Sequence, residues 1–217
     1  MTGCEPIRSP LKKTAHASEQ ERADVQAKRY RWRKRQDWLK QHEYLLSRIV
    51  FIDETGLNTK MARPRGRSAK GQRLVASIPH GHWKTMTFIA GLRHDGMTAP
   101  WVLDGPMDGA AFTTYIQTQL APTLNAGDVV VLDNLPAHKV AAAGAAIKQR
   151  GAWMLFLPPY SPDLDPIELA FSKLKAHIKR MALRTVGDLW KGVGEILKLF
   201  SKKECANFFK AAGYGAN

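Results

Sequence analysis

LPPYSPDLDPIELAFSKLK, residues Leu157–Lys175, joins a stiff approach to what reads as an amphipathic helix. Prolines 158, 159, 162 and 166 fix φ along the approach, and Asp163, Asp165 and Glu168 follow one another closely. Pro166 suits the first helical position, with Asp165 as N-cap. Ile167, Phe171, Leu174, Ile178 and Met181 then recur every three or four residues, which predicts a helix with one core-facing stripe. Glu168 stands where a capping box would use it, three residues after Asp165. It also falls at the border of the buried stripe, on a face shared with Ser172, Lys175 and Lys179. A carboxylate beside a lysine-bearing face suits a place where a phosphate backbone passes.

Working outward, two apolar runs end in an acid in the same way. RIVFI (Arg48–Ile52) reads as a buried strand ending at Asp53, and DVVVL (Asp128–Leu132) as another followed by Asp133. Such an acid lies at the sheet edge where ligands bind in open α/β sheets. Either could equally cap the turn that follows, since DETG and DN are ordinary turn formers. Lys84–Leu92 and Met97–Leu103 flank His94-Asp95-Gly96 as a hairpin. Residues 109–121 and Val140–Arg150 read as helices, and Ala152–Leu157 as a last strand. Residues 186–200 and 202–211 are helical candidates too. Residues 18–40 predict a helix opened by Ser18 with Glu21 at the capping-box position, its stripe made of Val25, Trp32 and Leu39.

Three strands, then helix, strand, helix, strand and helix predict an α/β fold. Its sheet is mixed, three antiparallel strands followed by two crossover strands, flanked by helices. That is the order of a ribonuclease-H-like fold. The expected organisation is a basic linker and helix over 1–47, a catalytic domain over 48–183, and a helical extension packed on it over 184–217.

The 217 residues carry a formal charge of +14. Residues 1–48 hold twelve Lys/Arg against six acids, 60–84 seven against none, and 173–203 nine against two. Between 85 and 172 there are four basic residues and eight acids. Solvated helix faces would explain any one block. Basic arms around an acidic centre fit a polyanion held over a cation site. No apolar run is long enough to cross a bilayer and the start has no apolar signal core, so no membrane partner and a cytoplasmic location are expected. Cys4 and Cys205 sit at opposite ends, which argues against a disulfide framework.

Asp53, Asp133 and Glu168, brought together from two strand ends and a helix start, would raise each other's pKa unless a cation neutralised them. Mg2+ prefers such oxygen ligands and keeps positions for water and phosphate. Two ions roughly 4 Å apart can activate a water or 3′-hydroxyl and stabilise the leaving oxygen. No convincing His or Ser nucleophile competes with this reading.

FIDETGLNTKMARPRGRSAKGQR, VVVLDNLPAHK and LPPYSPDLDPIELAFSKLK together resemble the DDE transposases of bacterial insertion sequences, most of all the insertion sequence 630 group, related to the mariner superfamily. The similarity runs from about His16 through the AAGYG tail, and YSPDLDPIE is its most specific part. The 34 residues between Asp133 and Glu168 match the interval typical of that superfamily. The resemblance implies that Asp53, Asp133 and Glu168 are the catalytic metal-binding triad, Asp53 being preferred over Glu54. It also implies Mg2+, with Mn2+ as substitute and two ions per site. The chemistry would be hydrolysis at element ends followed by 3′-hydroxyl attack on target DNA, typically at TA. Arg63, Arg65, Arg67, Lys70 and Arg73 would form a DNA-contacting loop, with Lys175 and Lys179 as further DNA contacts. His138 matches the DN…HK pattern and is expected to hold the local turn rather than to move protons.

Implied partners are double-stranded DNA, as transposon ends and target, and a second copy in a homodimer. Bound to DNA, the protein would associate with the nucleoid. Family members normally carry an N-terminal helix-turn-helix, and KKTAHASEQ resembles the region just after it. The chain is therefore expected to be the second frame of a frameshifted element, whose upstream frame supplies that module, or a truncated copy. Two other functions fit parts of the pattern: a non-catalytic DNA-binding fragment or regulator, and another ribonuclease-H-like nuclease.

Overall fold

A computed structural model describes residues 17–63, 66–75 and 82–215. Five strands form one sheet in the order β3-β2-β1-β4-β5: β1 Ile49–Asn58, β2 Thr85–Arg93, β3 Gly96–Leu103, β4 Val129–Leu132 and β5 Trp153–Phe156. β1, β2 and β3 run antiparallel in a meander, while β4 joins β1, and β5 joins β4, in parallel. The mixed sheet expected from the sequence is therefore present. The parallel pairs need crossovers, which the helices supply. α2 (Gly109–Tyr115, continued by a wider turn over Ile116–Leu120) precedes β4, and α3 (Ala141–Gln149) links β4 to β5. α4 (Ile167–Met181), α5 (Val186–Leu197) and α6 (Lys202–Ala211) follow, and α1 (Ala23–Lys40) precedes the sheet.

Side chains alternate across the sheet, so each strand feeds two cores. Val50 and Ile52 join Val130, Leu132, Phe112 and Ile147 on the α2/α3 face. Phe51, Leu57 and Val131 join Trp32, Phe171, Leu174, Ile178, Leu189 and Phe209 on the face covered by α1, α4, α5 and α6. The α4 stripe is buried as its spacing requires, except at Met181, which is 43% exposed where the helix ends.

Three local expectations need correction. β1 does not end at Asp53; it continues to Asn58 because β2 pairs with it throughout, from Val50↔Arg93 to Asn58↔Thr85. Ser18 does not cap a long helix. Residues Ser18–Glu21 make a separate 3-10 turn, and extended Arg22, whose guanidinium forks onto Asp24, breaks the chain before α1. α1 buries Arg29 and Gln36 beside Val25 and Trp32, so its inner face is half polar.

Candidate active site

The register of the parallel pair places the first two acids. Phe51 pairs with Val131 at the end of the β1–β4 ladder, so two residues on, Asp53 and Asp133 stand side by side. Alternation turns Asp53 toward the core face of Phe51 and Val131, the face covered by α4. β4 stops at Leu132, so beyond that point the sheet opens and Asp133 begins the loop to α3. Glu54, one residue on, falls on the opposite parity, beside the α2/α3 core. That separation, invisible without the register, distinguishes Asp53 from its neighbour.

The proline-rich approach brings the third acid. Leu157 continues the ladder by donating to Leu132 O (2.8 Å), a 3-10 turn spans Pro162–Leu164, and α4 starts at Ile167. Glu168 lies in its first turn. The capping-box role is not used, since Asp165 N–H donates to Pro162 O (3.1 Å) instead. Asp165 does cap, accepting from Ile167 N–H (3.2 Å). It is also only 4% exposed and faces the other acids. Burial first, then the charge of Asp53, holds it well above the usual carboxylate range. Asp163 points away to Arg29, which binds both its oxygens at 2.8 and 2.7 Å. The guanidinium lowers its pKa.

Asp53, Glu54, Asp133, Asp165 and Glu168 line one open cleft of ≈ 520 Å³, walled by Leu135, Leu157 and the segment Pro158–Pro162. Among the described residues no lysine or arginine lines it. Burial, then the charges of Glu54 and Glu168, push Asp53 up to about 8. One cation does reach the cluster. His138, 1% exposed and packed against Phe112 (centroids 4.5 Å), sits with Nδ1 2.6 Å from Asp133 Oδ1 and Nε2 3.1 Å from Glu54 Oε2. Burial alone would lower its pKa; the bonds to Asp133 and Glu54 outweigh it and raise it to about 9. As an imidazolium it donates through both nitrogens. Glu54 is thus engaged on the far side, and Asp133 is held through Oδ1, which also accepts from Leu135 N–H (3.1 Å).

Among the described residues no three His, Cys, Asp or Glu side chains converge tightly enough to hold an ion as they stand. Asp53 Oδ1 accepts from Glu54 N–H (2.8 Å) and Asp133 Oδ1 is drawn to His138, so each acid is tied to its own neighbourhood. The donor set still suits a hard divalent cation. Several carboxylates share an open cleft with little compensating charge, and Mg2+ needs only one or two of them beside water and phosphate.

The structure groups Asp53, Asp133 and Glu168, but not the basic residues. Arg63, Arg67, Lys70 and Arg73 are exposed in the β1–β2 connection outside the cleft lining, and Arg65 lies outside the described residues. Lys175 and Lys179 follow Glu168 along one face of α4, half-buried and also away from the cleft. Sequence reasoning missed Glu54 and Asp165 as members of the cluster, and missed His138 as a bridge between acids. Their signals were the DE pair, the DLDP acid beside a proline, and the DN…HK spacing.

The sequence model of one family, described as DDE superfamily endonuclease, matches residues 48–189. No curated protein matches the chain significantly. Among solved structures, the Mos1 transposase paired-end complex with left transposon end superposes with a TM-score of 0.69 at 17% identity, covering 95% of this chain and 64% of that one. The mariner Mos1 paired-end complex with Mg gives 0.67 at 17% identity, covering 94% and 64%. The catalytic domain of Mos1 mariner transposase gives 0.60 at 16% identity, covering 89% and 91%. The chain thus spans less than two-thirds of the Mos1 chains in those two complexes. At these identities the likeness establishes the fold, which is ribonuclease-H-like. With the family match over most of its length, this chain belongs to the DDE superfamily endonuclease family.

Proposed function

We propose that this chain is the catalytic domain of a transposase of the insertion sequence 630 group. It cuts DNA at element ends and joins the freed 3′-hydroxyl to target DNA at TA. The observation that carries this reading is the convergence of Asp53, Asp133 and Glu168, from three separate elements, on one acidic cleft that no lysine or arginine of the described residues lines. The Mos1 neighbours include complexes with transposon-end DNA and with Mn or Mg, which supports DNA and a divalent cation as partners here. In this reading residues 48–183 form the catalytic unit, 1–47 and 184–217 are its appendages, and two copies act together. An upstream helix-turn-helix product selects the ends, and the protein works in the cytoplasm at the nucleoid.

Asp53, Asp133 and Glu168 would hold Mg2+, or Mn2+ in its place, as two ions per site. When bound, the metal neutralises these acids, makes water or a 3′-hydroxyl nucleophilic and stabilises the leaving oxygen. His138 fixes Asp133 through Oδ1 and leaves Oδ2 without a hydrogen bond from a described residue. The same imidazole engages Glu54, so that carboxylate does not compete for the ion. Asp53, held protonated by burial first and then by the charges of Glu54 and Glu168, would give up its proton to such a cation.

Incubation with supercoiled DNA and Mg2+ or Mn2+ tests the reading. Wild type is expected to nick, and Glu168→Gln to lose more than about 100-fold of that activity, beyond what loss of an outer-shell partner costs. Equal nicking by both proteins overturns the assignment. Preference for RNA–DNA hybrids or junctions over duplex would move the chain to another ribonuclease-H-like nuclease.

A further inference from the structure

The AAGYG tail has no part in the site, yet Tyr214 within it is 1% exposed and contacts three elements. Its hydroxyl accepts from Trp32 Nε1 of α1 (2.7 Å) and donates to Leu164 O in the approach to α4 (2.7 Å). Its ring meets Phe51 edge-on (centroids 4.9 Å), two residues before Asp53 on the same strand and face. Tyr214 therefore touches both the strand that carries Asp53 and the segment that delivers Glu168.

The approach leans on these outside ties. Tyr160 has φ +55, a left-handed conformation that costs a non-glycine residue free energy. Its carbonyl is held by Gln20 Nε2 from the turn before α1. Arg29 of α1 donates to Ser161 Oγ (2.7 Å) and to both oxygens of Asp163. Gln20, Arg29 and Tyr214 thus each reach into residues 158–165 with a side-chain hydrogen bond from another part of the chain. Gln36 closes the brace by donating to Ala212 O (2.8 Å), tying α1 to the tail.

We infer that α1 and the C-terminal tail form a brace that positions Glu168 against Asp53, with Tyr214 and Arg29 as positioning residues. The inference rests on the proposed role of Glu168 and adds a requirement for residues far from it in sequence. Without the brace the first turn of α4 loses its fixed height over the sheet edge, and the metal must assemble its ligands before binding.

The test uses the full chain with Tyr214→Phe, which keeps the ring against Phe51 and removes the bridging hydroxyl. Hydrogen exchange is read across residues 157–170, and the Mn2+ concentration for half-maximal nicking is read in parallel. Ile147→Val, in the core of the opposite sheet face, serves as a control for general destabilisation. Tyr214→Phe is expected to exchange faster in that segment and to need about tenfold more Mn2+, the low end for loss of an outer-shell partner. Arg29→Met is expected to do the same, and Ile147→Val to leave both readouts at wild type. Unchanged exchange overturns the brace. Faster exchange with unchanged Mn2+ dependence, or an equal change in Ile147→Val, overturns the positioning role. Wild-type nicking by Glu168→Gln would instead remove Glu168 from the reaction, and exchange would still decide whether Tyr214 holds the segment.

Discussion

At Asp53 the cost of building the site is visible in one group. Its carboxyl is raised to about 8, whereas in an unfolded chain it would ionise near about 4. Between those values the folded protein holds a proton that the unfolded chain has lost, so stability falls as pH rises through the window. His138 acts in the same direction. Its contribution is full below about 6.5, its unfolded value, and is lost as pH rises through about 9. The Arg29–Asp163 pair has the opposite sign, but an aspartate with a lowered pKa changes only below about pH 4. The metal-free chain is therefore expected to melt at steadily lower temperature from pH 6 to 9, and Mg2+ to restore most at the alkaline end. Calorimetry across that range, with and without Mg2+, checks this; a melting temperature that climbs with pH would contradict it. Asp53→Asn keeps the shape and removes the charge. It is expected to stabilise the metal-free chain by about 1–2 kcal/mol and to abolish the Mg2+ shift. His138→Ala should do the reverse, costing about 3 kcal/mol by leaving Asp133 and Glu54 without their shared cation.

Helix α4 shows what an element contributes beyond its residues. It ends on Ala182 with φ +52, whose N–H closes the last turn onto Ile178 O (3.0 Å). Glycine reaches that conformation without the Cβ clash, so Ala182→Gly is expected to stabilise the protein by about 0.5–1 kcal/mol, measured by urea denaturation. Destabilisation would mean that the methyl packs in a way its half-exposed position does not suggest. The start and stripe of α4 were legible because Pro166 and the spacing from Ile167 to Ile178 are local signals. β4 and the first half of β1 were legible for a similar reason, as short apolar runs ending in an acid, and β5 as an apolar run between Gly151 and Pro158. The second half of β1 was not, because DETGLN reads as a turn until β2 is known to pair with it. Arg29 and Gln36 escaped notice for the same physical reason. Their partners, Asp163 and Ala212, lie more than a hundred residues away, and no periodicity marks a polar side chain as buried. The candidate triad could be named from sequence, but the face on which Glu54 lies could not, since that needed the register. His138 became a bridge only when its loop was placed between Glu54 and Asp133.

Over the whole molecule, charge is divided between an acidic cleft and basic segments outside it, and the two parts should be separable by experiment. α1 presents Lys28, Arg31, Arg33, Lys34 and Arg35 on its outer side, among exposed Tyr30 and Trp38. Arg63, Arg67, Lys70 and Arg73 stand exposed in the β1–β2 connection, with no ion pair among the described residues. Side chains of this kind bind phosphate by releasing counterions, so affinity for duplex DNA should fall linearly with salt on logarithmic axes. Each phosphate contact contributes about 0.9 to that slope. If these four residues contact DNA, changing all of them to alanine should reduce the slope by about 3 to 4 and weaken binding across sequences alike. None of these four side chains belongs to either core, so the fold should survive. The acidic cleft lies elsewhere, so the Mg2+-dependent melting shift and its pH profile should stay at wild type. Fluorescence anisotropy of a labelled duplex across a salt series, paired with calorimetry, reads both quantities from one preparation. An unchanged slope would take the loop out of the DNA interface and leave α1 and the lysines of α4 as its carriers. A lost Mg2+ shift would mean instead that loop and cleft are one coupled unit.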